Sequence, residues 1–277
     1  MIDTEAFVDR RSQFISVDGM RVHFKREGQG PTILLLHGSG SSLHCFDRVV
    51  AILTSNYDVV RLDLPGFGLT GPRPDRDYRI ESYVSFLEHF VSALSMDRFS
   101  IAGNSLGGNI AWNFALAYPE RVQRLILMNA TGYPEKSLPA AMRLMRNPLA
   151  RAVLRRWVPR GATARNLRKV IGPRMGRVDE AMIDRVHALI NRPGNRQAFI
   201  DLANTSQRDR SAEICHIKTP TLVLRGESVD GQYFARDIPG SREIVFEGVG
   251  HLLPDEAPAE VAEAIRSQLA SVSDRDD

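Results

Sequence analysis

Phe99-Ser100-Ile101-Ala102-Gly103-Asn104-Ser105-Leu106-Gly107-Gly108 is the stretch on which the reading of this chain turns. Its first four residues form a short, largely apolar run of strand length. Gly103 to Gly107 then match the pattern G-x-S-x-G. From Asn109 to Tyr118 apolar residues recur at helical spacing until Pro119 stops them. Strand, cramped turn and helix are the context in which that pattern carries chemistry. The flanking glycines permit a turn too tight for larger side chains, and such a turn lifts the Ser105 hydroxyl clear of a sheet. The N–H of Leu106 then opens the helix, where the backbone dipole favours a developing negative charge. Ser105 is the candidate nucleophile, and the Leu106 N–H is a candidate oxyanion donor.

Apolar runs like Phe99 to Ala102 recur at Thr32 to Leu36, Val59 to Leu62, Leu125 to Met128, Thr221 to Leu224 and Glu243 to Phe246. Thr32 to Leu36 lies between Gly30-Pro31 and His37-Gly38, too short for a helix, and fits a strand buried on both faces. Helical patterns at Cys45 to Thr54, Ile80 to Leu94, Asn109 to Tyr118 and Ala257 to Val272 separate or follow these runs. Two alternating runs, Gln13 to Val17 and Met20 to Lys25, meet at Asp18-Gly19, a hairpin signal. The expected fold class is α/β, with a mainly parallel sheet of the eight-stranded type covered by helices on both faces.

The middle of the chain breaks this rhythm. From Tyr133 to Arg210 there is no strand-like run, only short helical pieces interrupted by Pro148, Pro159, Gly161, Gly172-Pro173 and Pro193-Gly194; Met182, Val186 and Leu189 share one helical face. Charge changes at the same place. Lys136 to Arg210 hold 17 Lys/Arg against 5 Asp/Glu, a local charge of +12, while the rest of the chain carries −9. Residues 133–210 are therefore expected to form a helical cap inserted into a core of residues 1–132 and 211–277. The arginines divide between two readings, solvated helix faces and attraction of anionic substrates. No nucleic-acid-binding module accompanies the charge, so nucleic acid is not an expected partner.

Bulk composition narrows the class further. The 277 residues are 43% hydrophobic and 25% charged, ordinary for a globular protein. No apolar run is long enough to span a bilayer. Met1 to Gln13 shows no secretory pattern. The two cysteines, Cys45 and Cys215, have no metal-ligand spacing and are expected to be buried or semi-buried thiols. A cytoplasmic location, a small-molecule substrate and no cofactor or metal follow as expectations; a homodimer is left open. The tail from Ser273 to Asp277 is expected to be disordered.

Two further loops carry chemistry. His37-Gly38-Ser39-Gly40 follows the run Ile33 to Leu36, and its backbone can point N–H groups into a site. Ser39 N–H paired with Leu106 N–H would make an oxyanion hole, whereas the His37 side chain is read as structural packing. Gly248-Val249-Gly250-His251 follows the last run, where a histidine can reach over a serine, take its proton and return it to a leaving group. His23, His44, His89, His187 and His216 lack that setting. Asp63, between a strand and a Gly-rich turn, is read as a residue that holds Pro65 to Gly68.

Together with the Ser105 turn, Leu62-Asp63-Leu64-Pro65-Gly66-Phe67-Gly68, Tyr118-Pro119-Glu120-Arg121-Val122 and Gly248 to His251 resemble the α/β-hydrolase fold superfamily over nearly the whole chain. The inserted cap, Leu36 to Gly40 and Gly103 to Gly108 look most like its serine-nucleophile branch of carboxylesterases, lactonases and carbon–carbon bond hydrolases. The resemblance implies Ser105 as nucleophile and His251 as base, in the chain order Ser…acid…His. The aspartate-nucleophile dehalogenases and epoxide hydrolases are disfavoured by the serine.

The acid departs from the pattern. In such proteins it usually follows the run equivalent to Thr221 to Leu224, in a loop longer than Gly226 to Gly240 here. Asp230 is the candidate and Glu227 the second. Asn129 stands where some relatives place the acid and offers no carboxylate. Three functions stay open: acyl-type hydrolysis of an ester, lactone or vinylogous ketone through a Ser–His–acid triad; a cofactor-free haloperoxidase or acyltransferase activity; and a non-catalytic binder with a degraded acid loop.

Overall fold

Three antiparallel and parallel pairings at one edge set the direction of the whole sheet. In the computed structural model, which describes residues 5–134, 140–175 and 178–270, β1 (Gln13–Val17) and β2 (Met20–Glu27) form a hairpin through Asp18 and Gly19, at φ 50° and 75°. Strand β2 pairs antiparallel with β4 (Asp58–Leu62), which pairs parallel with β3 (Thr32–Leu36). Beyond β3 all pairings are parallel, through β5 (Phe99–Asn104), β6 (Val122–Met128), β7 (Thr221–Gly226) and β8 (Arg242–Phe246). The order is β1-β2-β4-β3-β5-β6-β7-β8. The chain therefore has the expected α/β class, with an eight-stranded, mostly parallel sheet.

The continuous apolar runs are explained by burial on two faces. Ile33 and Leu35 of β3 join one core with α1 (Asp47–Leu53), while Leu34 and Leu36 join the other with α2 (Ile80–Ala93) and α3 (Leu106–Ala117). Strand β6 alternates likewise, Leu125 and Leu127 to the second core, Ile126 and Met128 to the first. A parallel strand covered by helices on both sides needs apolar side chains in both directions, so its period-two signal disappears.

Between β6 and β7 the described residues form five α-helices: α4 (Ala140–Arg146), α5 (Pro148–Leu154), α6 (Arg160–Val170), α7 (Glu180–Ile190) and α8 (Asn195–Asn204). Ala164, Leu167, Val178, Met182 and Ile183 form a small core of their own. Val186 and Leu252 pack against it, whereas Leu189 is buried elsewhere. After β7 come α9 (Phe234–Asp237), α10 (Leu253–Glu256) and α11 (Pro258–Ala270). Cys45 is buried, but Cys215 is exposed, against the expectation for both thiols. Among the described residues no helix is long and apolar enough to cross a membrane. Residues 273–277 lie outside the described residues.

Asp63 holds the loop after β4, in the role read from the sequence. Oδ1 accepts the Leu43 N–H at 2.8 Å; Oδ2 accepts the Leu69 N–H at 2.8 Å and faces His23 Nδ1 at 2.8 Å. On its far side the His23 ring meets the Ser12 hydroxyl at 3.0 Å. This Ser12–His23–Asp63 chain has the composition of a catalytic relay, but its carboxylate is committed to backbone donors and fully buried. It fastens the N-terminal strands to the loop. Burial opposes ionisation of Asp63, yet the hydrogen bond with His23 holds the carboxyl at about 2.

Removing that carboxylate leaves several buried donors without a partner. Asp63→Ala is expected to lower unfolding free energy by about 3–5 kcal/mol, the range for breaking a buried pair, measured by urea denaturation. A carboxyl held below its unfolded pKa stabilises above that pKa and loses the contribution as pH falls through the folded value. The deficit of the variant should stay constant from neutral pH to about 4 and shrink as pH falls toward 2. A deficit unchanged at the acid end would show that Asp63 is not the ionised anchor of the loop.

Candidate active site

Ser105 sits between β5 and α3 at φ 54° and ψ −114°. A non-glycine residue in that region costs about 1–3 kcal/mol and persists only where its surroundings enforce it. Here they do. A Cβ on Gly103 would overlap the backbone of Gly107, and one on Gly107 would overlap the Leu36 carbonyl. The Ser105 N–H is tied to Met128 O at 2.9 Å, and its carbonyl accepts the Asn109 N–H at 3.0 Å. The hydroxyl makes no hydrogen bond among the described residues and is half-buried.

The turn after β3 lies against this elbow. A Cβ on Gly38 would stand 3.2 Å from the Ser105 Cβ. The Leu106 N–H, first of its helix, has no intrahelical acceptor, and neither it nor the Ser39 N–H takes a hydrogen bond among the described residues. His37 is fully buried and spans its own turn: Nδ1–H donates to Gly38 O at 2.7 Å, and Nε2 accepts the Leu64 N–H at 2.9 Å. Burial pushes its pKa down, which keeps it neutral. Both nitrogens are occupied, so it shapes the turn.

His251 is positioned through its backbone. Its N–H donates to Val170 O at 2.7 Å, and its carbonyl accepts Asn129 Nδ2–H at 3.0 Å. Asn129, at φ 42°, directly follows β6; its amide also donates to Gly250 O at 3.0 Å and accepts the Gly226 N–H at 2.9 Å. Ser105 and His251 thus hang from adjacent residues, Met128 and Asn129, at the carboxyl end of one strand. No hydrogen bond joins the His251 ring to the Ser105 hydroxyl among the described residues. Burial lowers the His251 pKa, against the opposing pull of Glu256, so the ring is in its basic form at neutral pH.

The expected contact between Asp230 and His251 is not made. Strand β7 ends at Gly226 and α9 begins at Phe234, and within that short span Asp230 is exposed, its Oδ1 taken by the Gly231 N–H at 2.7 Å. Glu227 is exposed as well and accepts the Gly248 N–H at 2.9 Å. The carboxylate whose charge His251 feels belongs to Glu256. Its Oε2 accepts the N–H groups of Gly172 at 2.6 Å and Gly250 at 2.9 Å, and its Oε1 that of Leu252 at 2.9 Å. It locks the histidine loop to the cap. Sequence reasoning passed over Glu256; its one signal is an acid five residues past the histidine, on the helix that the loop leads into.

Arg192 was also missed, because nothing in the sequence separates it from the other basic residues of the cap. It lies between α7 and α8 and is half-buried, with no side-chain partner among the described residues. Burial lowers its pKa, and Asp63 opposes this. Close by, Gly40, Ser41, Gly66, Phe67, Gly68, Leu189, Ile190, Asn195 and Phe199 line a small cavity. Asn195 Oδ1 is buried there without a hydrogen bond.

Comparison with known proteins agrees with this architecture. Residues 31–258 match the family model described as alpha/beta hydrolase fold. The uncharacterized hydrolase YugF of Bacillus subtilis is 26% identical over 264 residues, covering 90% of this chain and 94% of that protein. A 2-hydroxy-6-oxononadienedioate/2-hydroxy-6-oxononatrienedioate hydrolase of Paraburkholderia phymatum is 30% identical over 259 residues, covering 84% and 85%. A thermophilic esterase from Thermogutta terrifontis superposes with a TM-score of 0.80 at 24% identity, over 94% of this chain and 98% of that one. The protein belongs to the α/β-hydrolase fold family.

The Asn129 clamp gives a test in which a carboxylate should do harm. Asn129→Asp has the same shape but cannot donate to Gly250 O and His251 O, and it sets a charge against two carbonyls. It is expected to destabilise the protein by about 1–3 kcal/mol and to lower kcat/KM for a p-nitrophenyl ester at least about tenfold, as His251 loses its register. Wild-type turnover in the variant would mean that the loop is held by its other bonds alone.

Proposed function

We propose that this protein is a serine hydrolase that cleaves an ester, a lactone or an activated carbon–carbon bond next to a carbonyl. The observation that carries the reading is the strained Ser105 elbow with two unengaged N–H groups beside it. In this reading the Ser105 oxygen attacks the carbonyl carbon while the His251 ring takes its proton. The oxyanion forms between the N–H groups of Ser39 and Leu106; one such donor is worth about 10²–10³ in kcat. Collapse expels the leaving group, which receives the proton from His251 and leaves an acyl-enzyme. Water, deprotonated by the same ring, then releases the acid. No step calls for a metal or an organic cofactor.

The acid of the triad is the part of the reading that moves. Asp230 holds the expected place in chain order, but Glu256, fixed on the histidine loop by the Gly250 and Leu252 N–H groups, is the carboxylate proposed to offset the imidazolium. Ser105→Ala should abolish ester turnover and fluorophosphonate labelling with the fold intact. Glu256→Gln should lower kcat by about tenfold or more, and Asp230→Asn should leave it nearly unchanged. A loss near 10⁴ in Asp230→Asn, as for the equivalent substitution in another triad, would return the role to Asp230. Unchanged turnover in Ser105→Ala would remove the mechanism. No labelling in the parent protein would favour a binding protein built on the same fold, the second reading that the missing acid contact supports.

The preferred substrate is proposed to carry a carboxylate. Arg192 is a half-buried cation whose guanidinium makes no hydrogen bond or ion pair among the described residues, and the Paraburkholderia relative bears the name of a dicarboxylate hydrolase. A charged hydrogen bond contributes about 1.5–3 kcal/mol. Arg192→Leu should therefore raise KM for a carboxylate-bearing ester about 10- to 100-fold and leave a neutral ester unaffected. Equal effects on both would assign Arg192 to cap packing.

A further inference from the structure

Helix α5 carries its large apolar side chains outward. Leu149 is 82% exposed and Val153 67%, and Trp157, just past the helix, is 47% exposed. Leu149 and Val153, four apart, share one stripe of the helix, while Trp157 lies beyond the helix end with its ring edge-on to that of His187 at 5.1 Å. The helix has a docked side as well: Leu154 packs against the main core, while no residue of α5 is fully buried. Leu144 of α4, 49% exposed, extends the apolar surface. Elsewhere among the described residues large exposed apolar side chains are scattered singly.

Arginines surround this stripe. Arg143, Arg146, Arg151, Arg155 and Arg156 form no ion pair among the described residues, and from Lys136 to Val178 the sequence holds 12 Lys/Arg and no Asp/Glu. Arg151 and Arg155 are one turn apart, where like charges repel. With Arg76 they line a cavity of about 300 Å³ whose one carboxylate, Asp201, is already held by Arg76 at 2.7 and 2.8 Å. Exposed apolar area and unpaired positive charge on the same short stretch are both relieved by an occupant that is apolar and anionic at once.

The geometry points to docking of the α4–α5 face, in the plane of the interface, onto a phospholipid bilayer with anionic headgroups. Leu149 and Val153 enter the acyl boundary, Trp157 sits at headgroup level, and the arginines bury their methylenes while their guanidiniums reach phosphate. A second copy of this chain fits the face poorly, because it brings the same unpaired arginines to the contact. The inference does not depend on the catalytic reading.

Tryptophan fluorescence reads it directly. The protein has two tryptophans, and Trp112 is buried with its indole N–H on Thr131 O, so a spectral change on binding reports Trp157. With vesicles of phosphatidylcholine containing one-third phosphatidylglycerol, the full-length protein should co-sediment and its emission should shift to the blue. Pure phosphatidylcholine vesicles should bind it far less, and Trp157→Phe should bind without the shift. Leu149→Ser combined with Val153→Ser should lower the partition coefficient by at least about tenfold, and Arg151→Gln with Arg155→Gln should erase the preference for anionic lipid. All are exposed positions, and circular dichroism checks that the variants stay folded. Absence of binding to anionic vesicles would overturn the proposal, as would undiminished binding in the serine double variant. A dimer in lipid-free solution that the serine variant dissociates would assign the stripe to a second copy instead.

Discussion

The hydrogen bond from the Ser105 N–H to the Met128 carbonyl joins a strained turn to the end of a neighbouring strand, and the rest of the site is arranged around it. It holds Ser105 in a backbone conformation that a free chain would leave. The next residue, Asn129, uses both ends of its amide to fasten β7 and the histidine loop to the same strand end. Three segments far apart in the chain thus take their positions from two adjacent residues. That economy ties the placement of His251 to Asn129, whose amide bonds its carbonyl.

A second coupling runs through the cap. The stretch from Val170 to Arg174 lies along the histidine loop, with the His251 N–H on Val170 O and the Arg174 N–H on Gly248 O at 2.9 Å. Gly172 and Gly250 meet backbone to backbone, so closely that a Cβ on either would overlap the other's main chain. Glu256 bonds both glycines. On the other side of the cap, Arg185 of α7 reaches Asp255, whose carboxyl burial pushes up to about 6. His251 is therefore held by the segment after α6 as well as by the sheet.

Charge and apolarity are distributed by the same division of labour. The core carries the acidic excess, and the segment between β6 and β7 carries the arginines. Some of these are spent on structure: Arg160 pairs with Glu180 and Asp184, and Arg196 binds the carbonyls of Arg155 and Asn191. Arg146 of α4 likewise donates to Ala203 O at 2.7 Å, whereas the side chains of Arg143, Arg151 and Arg192 make no hydrogen bond or ion pair among the described residues. Composition alone does not register which arginines are held in this way.

By itself the sequence determined the features that depend on neighbours along the chain. The doubly buried strands, the hairpin at Asp18-Gly19, the interruption after Leu125 to Met128 and the cramped turn at Ser105 are all written in local periodicity and in glycines that leave no room for a side chain. Asp63 as a loop anchor and His37 as a packed histidine were legible from their places between a strand and a Gly-rich turn, although Leu43, His23 and Leu64, which bond them, come from distant segments. The tertiary structure decided which carboxylate lies against the histidine loop. Asp230 stands at the expected place in chain order, yet its loop is too short to turn it inward, while Glu256 is held at the histidine loop by backbone groups of Gly172, 84 residues away, and Gly250. It decided also which arginines lack partners. Hydrogen-bond partners and burial are set by segments that meet only after folding, so neither the direction of a carboxylate nor the solitude of a guanidinium leaves a periodic trace in the chain.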